Sequence, residues 1–172
     1  SNVLNIATTS NGVAAAGGGN DITTTFSAVA DTTAQTVVVN ASSITQPDVD
    51  LVVTNNAASS TTTFSITGGA GLDTIAGSNG SDTILGGGGA DSINGGTGAD
   101  SMSGGALADT FVVTGTTDFS AADSVDGGTG ADSIQFNSNG AVVATIDMDN
   151  ISNLLLFGNG AAVGGNRTIT FD

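Results

Sequence analysis

GGAGLDTIA (68–76), GSNGSDTIL (77–85), GGGGADSIN (86–94), GGTGADSMS (95–103) and GGALADTFV (104–112) run head to tail with a period of nine residues. Asp73, Asp82, Asp91, Asp100 and Asp109 occupy the sixth place, and Ile75, Ile84, Ile93, Met102 and Phe111 the eighth. After VTGTT (113–117) the register resumes with a degenerate unit, DFSAADSVD (118–126), and a clean one, GGTGADSIQ (127–135). Asp123 and Asp132 hold the sixth place there. The five inserted residues are expected to bulge out as a loop or to shift the register.

Each unit divides into a turn and a strand. Glycines at the first, second and fourth places permit positive φ and a tight turn whose carbonyls can face inward. The aspartate ends that turn and presents a hard oxygen ligand. The Asp-Thr/Ser-Ile stretch is a brief strand that buries its large apolar side chain. Oxygen-only ligands on a flexible glycine-rich turn suit Ca²⁺ and not Zn²⁺ or Cu²⁺, which favour His or Cys. Ordinary turn capping by Asp is the competing reading of the same positions.

The repeat resembles the calcium-binding nonapeptide of RTX proteins, over residues 68–135. That resemblance implies an all-β, solenoid-like parallel β-roll, with successive turns falling alternately on two edges and several Ca²⁺ ions held between turns two units apart. Carried over by position, Asp73 would share an ion with Asp91, Asp82 with Asp100, and Asp91 with Asp109, with Asp123 and Asp132 as further candidates beyond the insertion. Carbonyls of Gly68, Gly77, Gly86, Gly95 and Gly127 would complete the coordination. Two departures stand out. Ser78 replaces a second-place glycine, and Leu107 replaces the fourth-place glycine of 104–109, which puts the Asp91–Asp109 site in question.

Composition agrees with this reading. The 172 residues carry a formal net charge of −15, with a single basic residue, Arg167, and every acidic residue is Asp. Without Glu or Lys, and rich in Thr, Ser, Asn and Gly, the chain lacks the residues that favour long surface helices. A folded chain this acidic must manage its own repulsion, and bound cations do so most simply. One basic residue cannot neutralise phosphates, so nucleic acid is a poor partner. No apolar stretch approaches the roughly 20 residues of a membrane helix. With no Cys there are no disulfides, so stability outside a cell would rest on metal or assembly.

The flanks extend the β pattern. Val37–Val39, Leu51–Val53 and Phe64–Ile66 read as short strands separated by turn-like GGGND (17–21), QPD (46–48) and TNNAASS (54–60). This divides the chain into an N-terminal strand region (1–66) continuous with the roll, the roll itself (67–135), and a C-terminal β cap (136–172). The segment QTVVVNASSI through FSITGGAG resembles the strands preceding such blocks in bacterial S-layer proteins and large adhesins. AVVATIDMDNISNLLLFGNGA (141–161) resembles the segment that closes them. Ile151, Leu154, Leu155, Leu156 and Phe157 can provide an apolar lid over the roll's end. The terminal RTITFD reads either as a type I secretion signal or as a last strand.

Catalysis is not expected. With no His or Cys there is no nucleophilic triad or thiolate, and the glycine-rich loops lack the Lys of a phosphate-binding loop. Asp147 and Asp149 read as a solvated pair on one strand face. The expected function is that of an extracellular, calcium-binding structural protein at a bacterial surface, a subunit that self-associates into a sheet or fibre. A calcium-dependent spacer or binding module of a large RTX adhesin is the alternative. Either strand segment at the ends, Val3–Ala16 or 167–172, could pair with a neighbouring copy.

Overall fold

The computed structural model describes residues 2–7, 21–26, 35–55, 62–115, 117–120, 122–137, 143–156 and 168–171. Fifteen strands and no helix are found among them. Before the repeat lie β1 (Asn2–Ala7), β2 (Ile22–Phe26), β3 (Gln35–Asn40), β4 (Leu51–Asn55) and β5 (Thr62–Thr67). The repeat forms β6 (Thr74–Ser78), β7 (Thr83–Gly88), β8 (Ser92–Gly96), β9 (Ser101–Ala106), β10 (Thr110–Val113), β11 (Ser124–Thr129) and β12 (Asp132–Phe136). β13 (Val143–Asp149), β14 (Ile151–Leu156) and β15 (Thr168–Phe171) follow.

Odd-numbered strands form one eight-stranded sheet, in the order β1-β3-β5-β7-β9-β11-β13-β15, and even-numbered strands form a seven-stranded one, from β14 to β2. Successive strands therefore alternate between two sheets, and every neighbouring pair is parallel, as a coiled solenoid requires. The nonapeptide explains the alternation. One unit supplies one strand and one turn, so residues eighteen apart meet in the same sheet, as Ile75 meets Ile93 and Ile84 meets Met102. The fold is a parallel β-roll.

Eighth-place side chains point inward from both sheets. Ile75, Ile84, Ile93, Met102, Phe111, Val125 and Ile134 are all buried in one core with Val37, Val39, Leu51, Val53, Phe64 and Ile66. The N-terminal strands thus share both sheets and the core with the repeat, through β3–β5–β7 and β2–β4–β6 pairing. Edge-on ring contacts join Phe26 to Phe64 (centroids 5.0 Å apart) and Phe119 to Phe136 (5.9 Å).

The insertion bulges without changing the register of the sheets. β11 still pairs with β9 and β12 with β10, although partners are now twenty-three residues apart. Asp118 closes the bulge by accepting the N–H groups of Thr114 and Gly115, and Phe119 turns back into the core.

Two details differ from the sequence reading. Strands are longer than the Asp-Thr/Ser-Ile core and run through the first two or three places of the next unit. β2, which the sequence reading did not single out, is a regular strand carrying Ile22 and Phe26 against the core. The expected C-terminal β segment supplies β13 and β14, with Asn150 between them in a left-handed conformation (φ 57). Within the C-terminal segment Ile151 packs on the core, and β15 joins β13 as a last strand. The proposed pairing segment 8–16, together with Phe157 and Arg167, lies outside the described residues.

Candidate metal centre

The sixth-place aspartates form two ladders along the edges of the roll. On one edge the backbone N–H of Asp73 donates to Oδ1 of Asp91 (2.8 Å), that of Asp91 to Asp109 (2.8 Å), and that of Asp109 to Asp132 (2.8 Å). On the other edge Asp82 donates to Asp100 (2.9 Å) and Asp100 to Asp123 (2.7 Å). The structure therefore stacks the pairs Asp73/Asp91, Asp82/Asp100 and Asp91/Asp109, and adds Asp100/Asp123 and Asp109/Asp132 across the insertion. Each ladder begins on the N-terminal strands, where Leu51 N–H meets Asp73 Oδ1 (2.8 Å) and Phe64 N–H meets Asp82 Oδ1 (2.7 Å).

All seven aspartates are buried. Among the described residues, the buried side-chain atoms without a hydrogen-bond partner are Gln46 Oε1 and the Oδ2 atoms of Asp91, Asp100, Asp109 and Asp132. A buried carboxylate oxygen with no donor is costly. Burial is the first cause that pushes the carboxyl groups of Asp91 and Asp100 up to about 7 and that of Asp109 to about 6, and the charges of neighbouring aspartates add to it. Burial raises Asp73 and Asp82 as well, against the opposing pull of their backbone donors.

Backbone carbonyls crowd the same space. A methyl group on Gly86 would collide with Asp91 Oδ2 and the Gly104 carbonyl oxygen. Similarly, the carbonyls of Gly86, Gly95 and Gly127 press on Gly68, Gly77 and Gly104. First-place glycines are thus required by close approach, not by positive φ; the left-handed residues stand at the second and fourth places, as at Gly87 (φ 116) and Gly89 (φ 114). Gly104 was not among the expected carbonyl donors, though its first place in the repeat marks it. Gly77 behaves differently, since its carbonyl accepts Asn55 Nδ2 (3.0 Å).

The two departures from the repeat resolve separately. Ser78 is not left-handed, and its hydroxyl bonds the Thr62 carbonyl (2.8 Å) and Asp82 Oδ1 (3.0 Å). Leu107 takes φ 79, the hand that glycine takes at the same place in other units, so the 104–109 turn keeps its shape at the expense of a strained and 62% exposed leucine.

These donors fit a hard divalent cation. No group of three or more acidic side chains converges among the described residues; the carbonyl oxygens of Gly104, Gly127 and Asn150 instead share the space beside Gly86, Gly104 and Gly127 with the orphaned oxygens of Asp91, Asp109 and Asp132, a mixed set that suits Ca²⁺. No helix among the described residues could cross a membrane.

The family model for the RTX calcium-binding nonapeptide repeat matches at residues 65–84, 77–111 and 119–135. No curated protein and no solved structure matches the chain.

Proposed function

From the premise that residues 65–135 are a block of RTX repeats, a structural module that binds several Ca²⁺ ions, we propose that this chain is an extracellular structural subunit of a bacterial surface layer or matrix fibre. It folds on calcium and then assembles with copies of itself. The observation that carries the calcium half of this reading is the set of buried, donorless Oδ2 atoms at Asp91, Asp100, Asp109 and Asp132.

The residues act through linkage. Without a cation, aspartates stacked on each edge repel one another and resist burial. Asp91, Asp100, Asp109 and Asp132, with turn carbonyls including those of Gly104, Gly127 and Asn150, would hold the ions. Bound Ca²⁺ supplies the positive charge that turns repulsion between turns into cross-links, so that binding free energy becomes folding free energy. Sites of the weak extracellular class, with Kd about 10⁻⁴–10⁻³ M, fill outside a cell and empty in the cytosol. The charge of −15 and near absence of basic residues support a role in which copies meet through calcium and strand edges, not through salt bridges.

A second reading, a stiff spacer within a large adhesin, is favoured by the unbroken strand order of both sheets, which makes one elongated stack. Electron microscopy of the purified chain at millimolar calcium, repeated after chelation, separates the two. Ordered sheets or fibres that disappear with chelator support the subunit; dispersed monomers at high calcium overturn it in favour of the spacer.

A further inference from the structure

We infer that calcium is held at four of the seven turns, and that the remaining three are locked by their own backbone and close without metal. The inference rests on the calcium reading above and assigns where, along this block, that reading applies.

The seven aspartates fall into two sets by how their oxygens are used. In the turns 68–73, 77–82 and 118–123 both carboxylate oxygens are engaged by donors of the chain itself. Asp73 accepts Leu51 N–H at Oδ1 and Gly69 N–H at Oδ2. Asp82 accepts Phe64 N–H at Oδ1 and Ser78 N–H at Oδ2, with the Ser78 hydroxyl as a third donor. Asp123 accepts Asp100 N–H at Oδ1 and Ser120 N–H at Oδ2. In the turns 86–91, 95–100, 104–109 and 127–132 only Oδ1 is engaged, by the aspartate one turn back, and Oδ2 is buried without a partner.

The backbone divides in the same way. Left-handed residues occupy the second and fourth places of 86–91 (Gly87, Gly89), 95–100 (Gly96, Gly98), 104–109 (Gly105, Leu107) and 127–132 (Gly128, Gly130). None occurs in 68–73, 77–82 or 118–123 among the described residues. In the self-capped turns a backbone N–H turns in and caps the carboxylate; in the open turns it turns away, and Oδ2 is left for a cation. Leu107 keeps the left-handed form although glycine is absent there, which places 104–109 with the open turns.

At a self-capped turn Oδ2 already has its N–H, so an ion there would compete with that donor for the carboxylate and meets no unsatisfied oxygen. Two of these turns are the first on each edge, docked on Leu51 and Phe64 of β4 and β5. They form a metal-independent base. The third sits at the insertion. The load is therefore uneven, with open turns at Asp91, Asp109 and Asp132 on one edge and at Asp100 alone on the other.

Native mass spectrometry of the full chain titrated with calcium counts the ions. Four are expected, falling to three in Asp132→Asn and staying at four in Asp123→Asn. Five or more in the parent, or loss of an ion in Asp123→Asn, overturns the division while leaving calcium binding intact. No specific ion at all overturns the functional reading with it. Amide exchange of the parent chain gives a second readout that needs no variant. The amides of Gly69 and Ser78 stay protected in excess chelator; free exchange there, with protection appearing only on calcium addition, refutes self-capping.

Discussion

Replacing Asp91 by asparagine should change stability in opposite directions with and without calcium. The new side-chain amide keeps an oxygen to accept Asp73 N–H, the 2.8 Å bond of the ladder, and places an NH₂ group where the orphaned Oδ2 lies, facing the carbonyl of Gly104. In the metal-free fold this removes a carboxyl group that burial holds at about 7. Keeping that group ionised at pH 8, against an ordinary value near 3.8, costs up to about 4 kcal/mol, and relaxation around the buried charge brings the figure to about 2–4 kcal/mol. Asp91→Asn should therefore stabilise the chelated protein by roughly that amount. With calcium the variant lacks a ligand. At about 100 times Kd each bound ion is worth about 2.7 kcal/mol, and the variant forfeits that term. Chemical denaturation followed by circular dichroism, in chelator and at about 10 mM calcium, gives both numbers. A loss of stability of similar size under both conditions would show that Asp91 is a turn cap with no ionic role, and would refute the argument.

Metal-free stability should also depend on pH. Asp91, Asp100 and Asp109 have folded-state values raised above the unfolded one, so the stability they allow is fully present below about pH 4 and is lost as pH rises through about 6–7. In chelator the midpoint of unfolding should be higher at pH 5 than at pH 8, and calcium should remove or reverse that order; a flat profile in chelator contradicts the buried-charge account. Leu107→Gly should raise stability by about 1 kcal/mol, because it relieves a left-handed leucine (φ 79) with little packing to lose. An unchanged or lower midpoint would mean that the exposed leucine is held by contacts of its own. Ile93→Ala, at the fully buried centre of the eighth-place column, should cost about 2–5 kcal/mol in denaturant titration, with or without calcium.

The periodic part of the fold could be read from the chain, because one nonapeptide does two physical jobs at fixed places. Ile75, Ile84 and Ile93 announced the core, and the sixth-place aspartates announced the edges. Val37–Val39, Leu51–Val53 and Phe64–Ile66 were legible for a related reason, since β-branched and aromatic runs bounded by turn residues make half-buried strands. Ile22–Phe26 shows the same alternation in ITTTF, but polar threonines dilute it. Asn150 turns the chain between two strands with one left-handed residue and no glycine motif, so 143–156 read as a single closing segment.

What the repeat could not show was which aspartates differ. Asp73 and Asp91 have the same place and almost the same neighbours in sequence, yet one is capped by Gly69 N–H and the other is not. That difference lies in the φ of Gly69 and Gly87, and glycine tolerates either hand. The two turns also stack differently: Asp73 meets the backbone of Leu51, in a strand without the repeat, whereas Asp91 meets another turn of its own kind. Leu107 shows the opposite case. Its side chain disfavours the left-handed turn locally, yet it takes the same hand as Gly89 and Gly130 at the same place of the neighbouring turns.

The central claim is that calcium binding and folding of the repeat are one equilibrium. Denaturant unfolding of the parent chain at pH 8, in excess chelator and then at about 10 mM calcium, tests it directly. With Kd in the range of about 10⁻⁴–10⁻³ M, the account predicts a gain of about 1.4–2.7 kcal/mol for every ion bound. Identical midpoints and identical circular dichroism in the two solutions would contradict it.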